Sequence, residues 1–393
     1  MKKLAIVVSH PIQYYAPVFE RLSKACILKV FYTLGAQINE EGISDEGFNQ
    51  KITWDIPLLS GYDYEIVKNT AKQVGHHYYG IKNKDLIAKI GLFAPDAVLV
   101  YGWAYTSHLK ILKYFKGKIP IWFRGDSNLL DSKNQIKSLF RKLFLKWLYH
   151  DIDKAFYVGT ANKNYFLAYG LTENQLIFAP HAIDNERFSK KRSNEAQKLR
   201  HKLTIDPADN LILFAGKFER KKNPNILLTA FIELDQPGMH LLFVGTGVLE
   251  ENLKLTVEKL KSDNPALSKR IHFLDFQNQT QMPIFYQACD VFCLPSQGPN
   301  ETWGLAINEA MAAGKAILAS DKVGCATDLV KNNENGFIFK SGDISDLKNK
   351  ISKLNKKAML HQFGNRSRTI IAPWNFDRQC EIIINQFNGK RIH

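Results

Sequence analysis

Cysteines and long apolar runs are scarce in this sequence of 393 residues. Its five cysteines are odd in number, and the spacing of Cys289 and Cys293 suits neither a zinc ribbon nor a redox pair, so we expect reduced thiols. No apolar run reaches the roughly 18 to 20 residues that span a bilayer, which argues against a transmembrane protein. The first apolar run, in MKKLAIVVSH, is only about five residues long, and we interpret it as a buried strand rather than a signal peptide. These features predict a cytoplasmic protein.

The composition is that of a soluble globular protein, with 45% hydrophobic, 12% aromatic and 23% charged residues. Such a composition excludes an intrinsically disordered chain, which would have far fewer apolar residues. The length exceeds what one hydrophobic core usually serves. Two domains with a cleft between them are therefore the default expectation.

Acidic residues are too few to balance the basic ones, and the formal net charge is +15. The excess is spread along the chain, since residues 1–190 hold 25 Lys and Arg against 17 Asp and Glu. A basic protein favours anionic partners, which include nucleic acids, anionic membranes and phosphorylated small molecules. Composition alone does not choose among these three classes.

Apolar runs that are typical of buried strands alternate with amphipathic segments along the whole chain. Near-continuous apolar strands separated by helices indicate parallel sheets covered on both faces. The pattern stops at a polar segment near residues 188–205 and then begins again, which predicts an α/β protein with two doubly wound domains, residues 1–190 and 200–368. Residues 369–393 are predicted to form a last helix that crosses back to the N-terminal domain. The predicted strands lie within residues 4–9, 27–33, 96–102, 120–125, 154–159, 176–180, 211–217, 240–247, 271–276, 291–296, 316–320 and 336–339.

The segment NETWGLAINEAMAAGK, residues 300–315, places two carboxylates around a predicted helix N-terminus. The pattern predicts a helix over about 305–313 that follows a strand and a turn-rich loop. The free N–H groups and the dipole of such a helix attract anions, and Gly304 lets the backbone come close to a ligand. Glu301 and Glu309 flank this position. The layout fits a ligand with a phosphate between two sets of hydroxyls, as in a nucleotide sugar.

A second group of residues, FAGKFERKKN, places Lys217 directly after a strand and Lys222 at the start of the next helix. Both ammonium groups can therefore reach the same edge of the sheet. Taken alone, this run of basic residues is equally typical of a solvent-exposed surface with no ligand. Gly245 and Gly247 form a G-x-G after the next strand, which is a weak sign of a dinucleotide site because the third glycine is missing.

Taken together, these motifs resemble glycosyltransferase family 4. The order GKFERKKN, FVGTG, IHFLDFQNQTQ, ETWGLAINEAMAAGKAILAS and NGFIF is similar to that family over residues 211–340. The resemblance implies a GT-B fold, in which two Rossmann-like domains face each other across a cleft. It also implies a retaining enzyme that takes its sugar from a nucleotide sugar, UDP- or GDP-linked.

The resemblance assigns roles to individual residues. Glu301 would hold hydroxyls of the donor sugar, and Glu309 those of the ribose. Lys217 and Lys222 would bind the diphosphate, although Lys217 replaces the more usual Arg and so acts as a point charge. The alternative without a ligand is that Glu301 caps the helix while Glu309 pairs with Lys315. The other donor-binding residues implied are Gly216, Phe276, Gln277, Trp303, Gly304 and Leu305, and Asp275 stands where many members have Gly.

The N-terminal half resembles a bacterial subgroup of the family with an HPIQY-type first loop. In SHPIQYYAPVFERL, His10, Gln13 and Tyr14 follow the first strand, and we expect them at the acceptor side of the cleft. A purely structural turn is the alternative. Arg124 and Asp126 follow another strand, where one of them would contact the donor sugar or phosphate, or the two would form an ion pair that stabilises the turn.

Residues 132–150, SKNQIKSLFRKLFLKWLYH, combine basic and aromatic side chains in one predicted helix. Such a helix can lie on anionic lipid. Its apolar side can equally belong to the core, with its lysines solvated. A peripheral position on the inner face of the cell membrane is therefore one of two expectations.

The predicted function is transfer of a sugar to a hydroxyl of a glycan or lipid-linked acceptor, in bacterial surface polysaccharide synthesis. The resemblance implies attack from the face that the diphosphate leaves. We expect no metal or other cofactor, because lysines and a helix dipole supply positive charge, and we interpret Asp151 and Asp153 as a helix cap. Two alternatives stay open: a sugar-nucleotide epimerase of similar build, and a non-catalytic binder of polyanions. The pair Glu301 and Glu309 disfavours nucleic acid.

Overall fold

The structure, a computed structural model, describes residues 1–35, 43–45, 50–52, 54–130, 135–299 and 301–388. These residues form two compact units. The first unit contains the described residues of Met1–Ile43, Ile52–His181 and Trp374–His393, and the second contains those of Ser44–Lys51 and Ala182–Pro373. The main division therefore follows His181, just before the polar segment in which the sequence places the boundary.

The first unit is built on a parallel sheet of short apolar strands. Leu4, Ala5, Ile6 and Val7 of the central strand are fully buried, because both faces of the sheet are covered. The strands in the N-terminal half of the chain are β1 (Lys3–Val8), β2 (Ile27–Tyr32), β3 (Ile43–Asp45), β4 (Gln50–Ile52), β5 (Tyr64–Ile66), β6 (Ala97–Tyr101), β7 (Ile121–Arg124), β8 (Lys154–Tyr157) and β9 (Leu176–Phe178), of which β3 and β4 lie mostly within residues assigned to the second unit. Among the described residues, seven of them form one sheet in the order β5-β2-β1-β6-β7-β8-β9, while β3 and β4 pair separately.

Helices of the first unit bury apolar stripes against the two faces of this sheet. One face packs on buried residues such as Ile90, Ile111, Leu145 and Phe166, which belong to four different helices. The helices are α1 (Ala16–Ser23), α2 (Leu86–Phe93), α3 (Thr106–Phe115), α4 (Gln135–Tyr149) and α5 (Thr160–Ala168).

A helix from the far end of the chain completes the first unit. It is α16 (Phe376–Asn385), and it packs beside α1. Arg21 Nε donates to Asp377 Oδ1 at 2.7 Å, and the buried thiol of Cys380 contacts the Val18 carbonyl. Residues 374–388 thus contribute side chains to the core of the N-terminal unit.

The second unit repeats the same architecture with a six-stranded parallel sheet, counted over the described residues. Its strands are β10 (Asn210–Ala215), β11 (Met239–Val244), β12 (Ile271–Leu274), β13 (Val291–Leu294), β14 (Ala316–Ser320) and β15 (Gly336–Phe339). Their order is β12-β11-β10-β13-β14-β15, with Ile212 opposite Leu241 on one side and Val291 on the other. Two doubly wound sheets confirm the predicted α/β class.

The polar segment after residue 182 folds into helices of the second unit rather than into a linker. Arg192 N donates to Gln287 Oε1 at 2.7 Å, and Arg200 Nη1 donates to the Ala288 carbonyl at 3.0 Å. These side-chain contacts explain why a charged sequence is ordered there. The helices of this unit are α6 (Asn185–Ser189), α7 (Ser193–Lys202), α8 (Pro224–Leu234), α9 (Glu250–Asp263), α10 (Pro265–Ser268), α11 (Met282–Ala288), α12 (Leu305–Ala312), α13 (Ala326–Leu329), α14 (Ile344–Lys353) and α15 (Lys357–Ile371).

The strand order creates one switch point in each sheet. The chain leaves β10 toward β11 and β12 on one side, and later returns to place β13 on the other side. The loops after β10 and β13 therefore separate at the carboxyl edge of the sheet, which is where open α/β sheets bind ligands. In the first unit the corresponding position lies between β1 and β6.

Candidate active site

Three neighbouring loops of the second unit meet at the carboxyl edge of the sheet. Gly216 N donates to the Val244 carbonyl and Gly245 N donates to the Leu274 carbonyl, each at 3.0 Å. A Cβ built on Gly245 would lie 2.1 Å from the Gly216 carbonyl oxygen. The G-x-G of the sequence is thus explained by close contact between two loops.

The basic loop after β10 is fixed to the loop after β13. Gln297 N donates to the Lys221 carbonyl at 2.9 Å, and its side-chain amide donates to the Arg220 carbonyl at 2.8 Å. These bonds hold the two sides of the switch point together. They bring Lys222 and Glu301, far apart in sequence, into direct contact.

Glu301 is a buried carboxylate with two protein partners. Lys222 Nζ lies 2.5 Å from Glu301 Oε2, and Ser296 Oγ donates to the same oxygen at 2.8 Å. Burial acts to raise the pKa of Glu301, but the charge of Lys222 and the hydrogen bonds from Lys222 and Ser296 outweigh it, so that the pKa is lowered. Glu301 is therefore ionised and already beside a cation.

Glu309 lies one turn into α12 and is 4% exposed. Tyr286 of α11 donates its hydroxyl to Glu309 Oε2 at 2.8 Å. Lys315, the partner considered from the sequence, instead donates to the carbonyls of Gln287 and Cys289 at 3.0 and 2.8 Å. The alternative in which Glu309 pairs with Lys315 is therefore wrong.

The turn before α12 offers backbone rather than side chains to a ligand. Trp303 is 2% exposed, and its indole Nε1 donates to Asn308 Oδ1 at 3.0 Å. Gly304 has φ 97°, and a Cβ there would lie 2.7 Å from Val323 Cγ1. Leu305 then begins the helix, whose first N–H groups have no acceptor within it. These N–H groups are what the predicted anion site requires.

The other predicted donor residues lie on the same edge of the sheet. Gly216 and Lys217 follow β10 directly, and both are partly exposed. Phe276 and Gln277 follow β12, two strands away, where the Gln277 amide donates to the Asp275 carbonyl at 3.1 Å. Their contacts with a nucleotide base stay a prediction.

The first unit gathers a polar aromatic cluster at its own switch point. His10 Nδ1 lies 2.9 Å from Ser9 Oγ, and the ring of His10 lies 4.9 Å from that of His76. His76 Nδ1 in turn lies 2.9 Å from the hydroxyl of Tyr105. The sequence analysis missed His76 and Tyr105, and the available signal was that Tyr105 follows β6 at this edge. The predicted acceptor residues Gln13 and Tyr14 are partly exposed in the loop after β1.

Arg124 has a structural role in the first unit, and its predicted contact with the donor stays a prediction. It is 2% exposed, and its guanidinium donates to the carbonyls of Ala179 and Pro180 at 3.0 and 3.1 Å. It therefore anchors the segment after β9. Asp126 is partly exposed at the end of β7, and its role in catalysis stays a prediction.

Asp151 and Asp153 do not cap a helix as expected. Asp151 pairs with Lys113 and with Lys116, the latter at 2.7 Å. Asp153 Oδ2 accepts from Ile121 N at 2.7 Å. Over the described ranges, the His, Cys, Asp and Glu side chains form no group of three that could hold a metal ion. In that same part of the chain, no helix is long and apolar enough to cross a membrane.

The chain is similar in sequence to one described family and to two glycosyltransferases. Residues 195–370 match the family described as glycosyl transferases group 1. The chain is 28% identical over 179 residues to D-inositol 3-phosphate glycosyltransferase of Segniliparus rotundus, which covers 44% of this chain and 37% of that protein. It is 26% identical over 282 residues to sulfoquinovosyl transferase SQD2 of Arabidopsis thaliana, 68% of this chain and 51% of SQD2. The matches thus span about half the length of these relatives or less.

A solved structure matches nearly the whole chain. HepE of Anabaena in complex with UDP superposes with a TM-score of 0.74 at 17% identity, covering 99% of this chain and 100% of that one. HepE has also been solved with UDP and glucose and with UDP-glucose. At this identity the match shows the fold, which is GT-B. Residues 195–370 of this GT-B chain are similar to the glycosyl transferases group 1 family.

Proposed function

We propose that the protein is a retaining glycosyltransferase that moves a sugar from a nucleotide sugar to a hydroxyl of an acceptor. The observation that carries the proposal is the meeting of Lys222, Glu301 and the N-terminus of α12 at the switch point of the second unit. This unit carries the match to glycosyl transferases group 1, and HepE, of the same fold, binds UDP and UDP-glucose. A UDP- or GDP-linked sugar fits the charges of the site.

The proposed donor pose follows from these charges. The diphosphate would lie against the first N–H groups of α12, with Lys217 and Lys222 supplying positive charge. Glu309, further along the helix, would accept from ribose hydroxyls, and Glu301 from hydroxyls of the sugar. The partners that both carboxylates have within the protein, Lys222 for Glu301 and Tyr286 for Glu309, hold them in place.

The reaction we propose retains the configuration at the anomeric carbon. The bond from that carbon to the diphosphate breaks, and its electron pair leaves with the diphosphate. The acceptor oxygen forms the new bond from the same face, while its proton passes to a diphosphate oxygen. Lys217, Lys222 and the helix N-terminus stabilise the charge on the leaving group.

The acceptor is proposed to be a hydroxyl of a glycan or of a lipid-linked glycan, in the assembly of a bacterial surface polysaccharide. His10, Gln13 and Tyr14 are the residues we propose for acceptor binding, and Asp126 is the residue we propose for contact with the donor sugar or phosphate. A cytoplasmic protein resting on the inner face of the cell membrane would meet such an acceptor. The residues of 132–134 that the sequence analysis included in a membrane helix lie outside the described residues.

We further propose that transfer needs no metal ion, since two lysines and a helix dipole already face the diphosphate position. The expected outcome is that sugar transfer, measured as nucleoside diphosphate release, persists in EDTA. Complete loss in EDTA, restored by a divalent cation, would contradict this part of the proposal.

The first test is thermal stabilisation of the protein by a panel of nucleoside diphosphates and their sugars. We expect selective stabilisation by one base, weakened by Glu309→Ala because the ribose contact is lost. Glu301→Ala should lower turnover more than donor binding. Stabilisation by every polyanion, abolished by salt, would instead indicate a non-specific polyanion binder.

A further experiment with the selected nucleotide sugar distinguishes a transferase from an epimerase. An epimerase would interconvert nucleotide sugars without any acceptor and without net release of nucleoside diphosphate. Incubation with the selected nucleotide sugar alone, followed by chromatography of the sugar, would reveal such a product. Its appearance would overturn the transferase assignment while leaving the donor site in place.

A further inference from the structure

The loop between β5 and α2 carries consecutive ring residues at its tip. Thr70 N donates to the Lys82 carbonyl at 2.7 Å, and Gly75 N donates to the Gly80 carbonyl at 3.3 Å, so the two sides of the loop run beside each other. Gly80 N closes the turn by donating to the His77 carbonyl at 2.9 Å. The residues of this turn, called here the HHYY tip, are all exposed: His76, His77, Tyr78 and Tyr79.

The HHYY tip is fixed to the rest of the first unit although its side chains are exposed. The Tyr78 carbonyl accepts from Thr106 N at 3.0 Å and from Thr106 Oγ1 at 2.8 Å. The Asn69 amide donates to the Gly80 carbonyl at 2.8 Å, and a Cβ built on Gly80 would lie 2.2 Å from the Gly75 carbonyl oxygen. A ligand would therefore meet a pre-formed surface and would not have to order the loop on binding.

The HHYY tip borders the proposed acceptor residues of the first unit. The ring of His76 lies 4.9 Å from that of His10, and His76 Nδ1 lies 2.9 Å from the Tyr105 hydroxyl. His10 follows β1 and Tyr105 follows β6, the two strands of the switch point in this sheet. An acceptor whose reacting end lies at His10 would thus extend onto the tip.

The loop that carries the HHYY tip is basic. Its sequence from Val67 to Lys84 contains four lysines and no Asp or Glu. The ammonium of Lys82 lies 5.2 Å from the centre of the Tyr79 ring, and Tyr79 is 64% exposed. The most exposed ring that the tip offers to a ligand therefore has a cation beside it.

We propose that the HHYY tip and Lys82 bind an acidic sugar of the acceptor, with the sugar ring on Tyr79 and its anionic group at Lys82. The C–H groups on one side of a sugar ring are weakly positive and pack on the negative face of an aromatic ring. A lysine adds a charge-assisted hydrogen bond to a carboxylate or a phosphate. This inference rests on the proposed function, and it narrows the acceptor to an anionic glycan.

The test measures the affinity of the full chain for three probes by saturation-transfer NMR titration. The probes are methyl glucoside, methyl glucuronide, and methyl glucoside phosphorylated at its primary hydroxyl. They share one ring and differ in charge, so the two acidic probes also distinguish a carboxylate from a phosphate as the preferred anion. The variants of the site are Tyr79→Ala, Tyr79→Phe and Lys82→Ala.

Tyr114→Ala and Lys118→Ala are the matched controls. Tyr114 is also an exposed tyrosine of the first unit, and the Lys118 ammonium lies 3.6 Å from the centre of its ring. The control pair therefore has the same chemistry on α3, outside the loop that carries the tip. Thermal stabilisation by nucleoside diphosphates is measured on every variant as an independent readout of the donor site.

We expect the native chain to bind an acidic probe about tenfold more tightly than methyl glucoside, because the charge-assisted bond to Lys82 is added. Lys82→Ala should remove this preference. Tyr79→Ala should weaken all three probes by about five- to tenfold through loss of the ring contact, and Tyr79→Phe should restore them. Both control variants should bind as the native chain does.

Three results would overturn the inference. They are equal affinity of the native chain for acidic and neutral probes, no binding of either acidic probe, and acidic-probe binding that persists in Tyr79→Ala and Lys82→Ala. If one of these occurs while nucleoside diphosphates still stabilise the protein, the acidic-sugar site is wrong and the proposed donor site stands. If the tip binds acidic sugars but no nucleoside diphosphate stabilises the protein, the acidic-sugar site stands and the proposed function is wrong.

Discussion

At the scale of single residues, the candidate site is held together by a buried ion pair between Lys222 and Glu301. Their side chains are 19% and 7% exposed. Removing one partner of a buried ion pair leaves an uncompensated charge, which costs about 3 to 5 kcal/mol. We therefore expect Lys222→Ala to lower the free energy of unfolding by about 3 kcal/mol, measured by urea denaturation. Glu301→Gln leaves Lys222, the more exposed member of the pair, without its partner and should therefore cost less.

The control for this variant is Lys261→Ala, which removes the partner of Glu258 in an exposed pair on α9. Exposed pairs contribute about 0 to 1 kcal/mol. A loss in Lys222→Ala no larger than that in the control would mean that Glu301 does not depend on Lys222 for its stability in the fold. The pH dependence gives a second readout, because the pKa of Glu301 is lowered from its usual 4.5. Its stabilisation is therefore present above pH 4.5 and lost as the pH falls below it.

Gly304 is a residue where the backbone and the packing both require glycine. Its φ of 97° would strain any side chain, and a Cβ would also lie 2.7 Å from Val323 Cγ1 and 3.0 Å from Leu294 Cδ2. We expect Gly304→Ala to destabilise the protein by about 2 to 5 kcal/mol, the sum of a left-handed backbone and an overpacked contact. It should also weaken nucleotide binding, because the N-terminus of α12 moves.

Gly342→Ala is the matched control for this prediction. Gly342 also has a positive φ, 80°, but a Cβ there meets nothing within 4 Å. The control should lose only the backbone part, about 1 to 2 kcal/mol, and should bind nucleotide as the native chain does. If Gly304→Ala and Gly342→Ala lower the free energy of unfolding equally, the side chains around Gly304 accommodate a Cβ without loss of stability.

At the scale of helices and strands, the contact between α11 and α12 fixes a predicted ligand residue. The Tyr286 hydroxyl donates to Glu309 Oε2, and such bonds to charged groups contribute about 1.5 to 3 kcal/mol. We expect Tyr286→Phe to raise the KM for the nucleotide sugar about tenfold, because Glu309 loses the partner that orients it. The kcat should change little, since the proposed pose places Glu309, the partner of Tyr286, at the ribose and not at the sugar that is transferred.

Tyr165→Phe is the control for Tyr286→Phe. Tyr165 is also almost fully buried, and its hydroxyl accepts from Arg141 at 3.2 Å in the first unit. Both variants should lose stability in denaturation, but only Tyr286→Phe should change the KM. A normal KM in Tyr286→Phe would mean that α12 alone positions Glu309.

Strands and helices differ in how far the sequence predicts them. Strands such as β10 and β13 are buried on both faces and therefore appear as uninterrupted apolar runs. The edge strand β5 was missed because it has three residues and none of them is fully buried. The segment near residues 188–205 looked like a linker, since the contacts that order it, such as Arg200 to Ala288, join residues distant in sequence.

The residues of the candidate site also differ in how far the sequence predicts them. Glu301, Lys222 and Gly304 could be predicted as site residues because each lies in a local pattern of a strand, a turn and a helix start. Tyr286 was not, because a tyrosine within α11 has the same spacing as any core residue. The partners of Arg124 could not be predicted from the sequence either, since they lie on the segment after β9, about 55 residues later.

At the scale of the whole molecule, buried histidines link stability to pH in both units. The pKa of His108 in the first unit is lowered from 6.5 to about 4 by burial, against hydrogen bonds to the Gly102 and Tyr101 carbonyls. The pKa of His272 in the second unit is also lowered to about 4, by burial and by the neighbouring His240. Between pH 6.5 and 4 the unfolded chain therefore binds more protons than the folded one, and stability falls as the pH falls.

His272 offers the cleaner test of this linkage, because it is less buried than His108 and can be replaced with less disruption. A pKa lowered from 6.5 to about 4 corresponds to at most about 3 kcal/mol lost across that window. We expect His272→Gln to cost little at pH 7 and to make the decline toward pH 4 shallower by up to this amount, measured by urea denaturation at a series of pH values. Protonation of His272 would set a positive charge 3.1 Å from His240 Nδ1, so the native decline has a defined physical source. An unchanged slope in His272→Gln would assign the acid sensitivity of the second unit to its carboxylates, with Glu301 the first to examine.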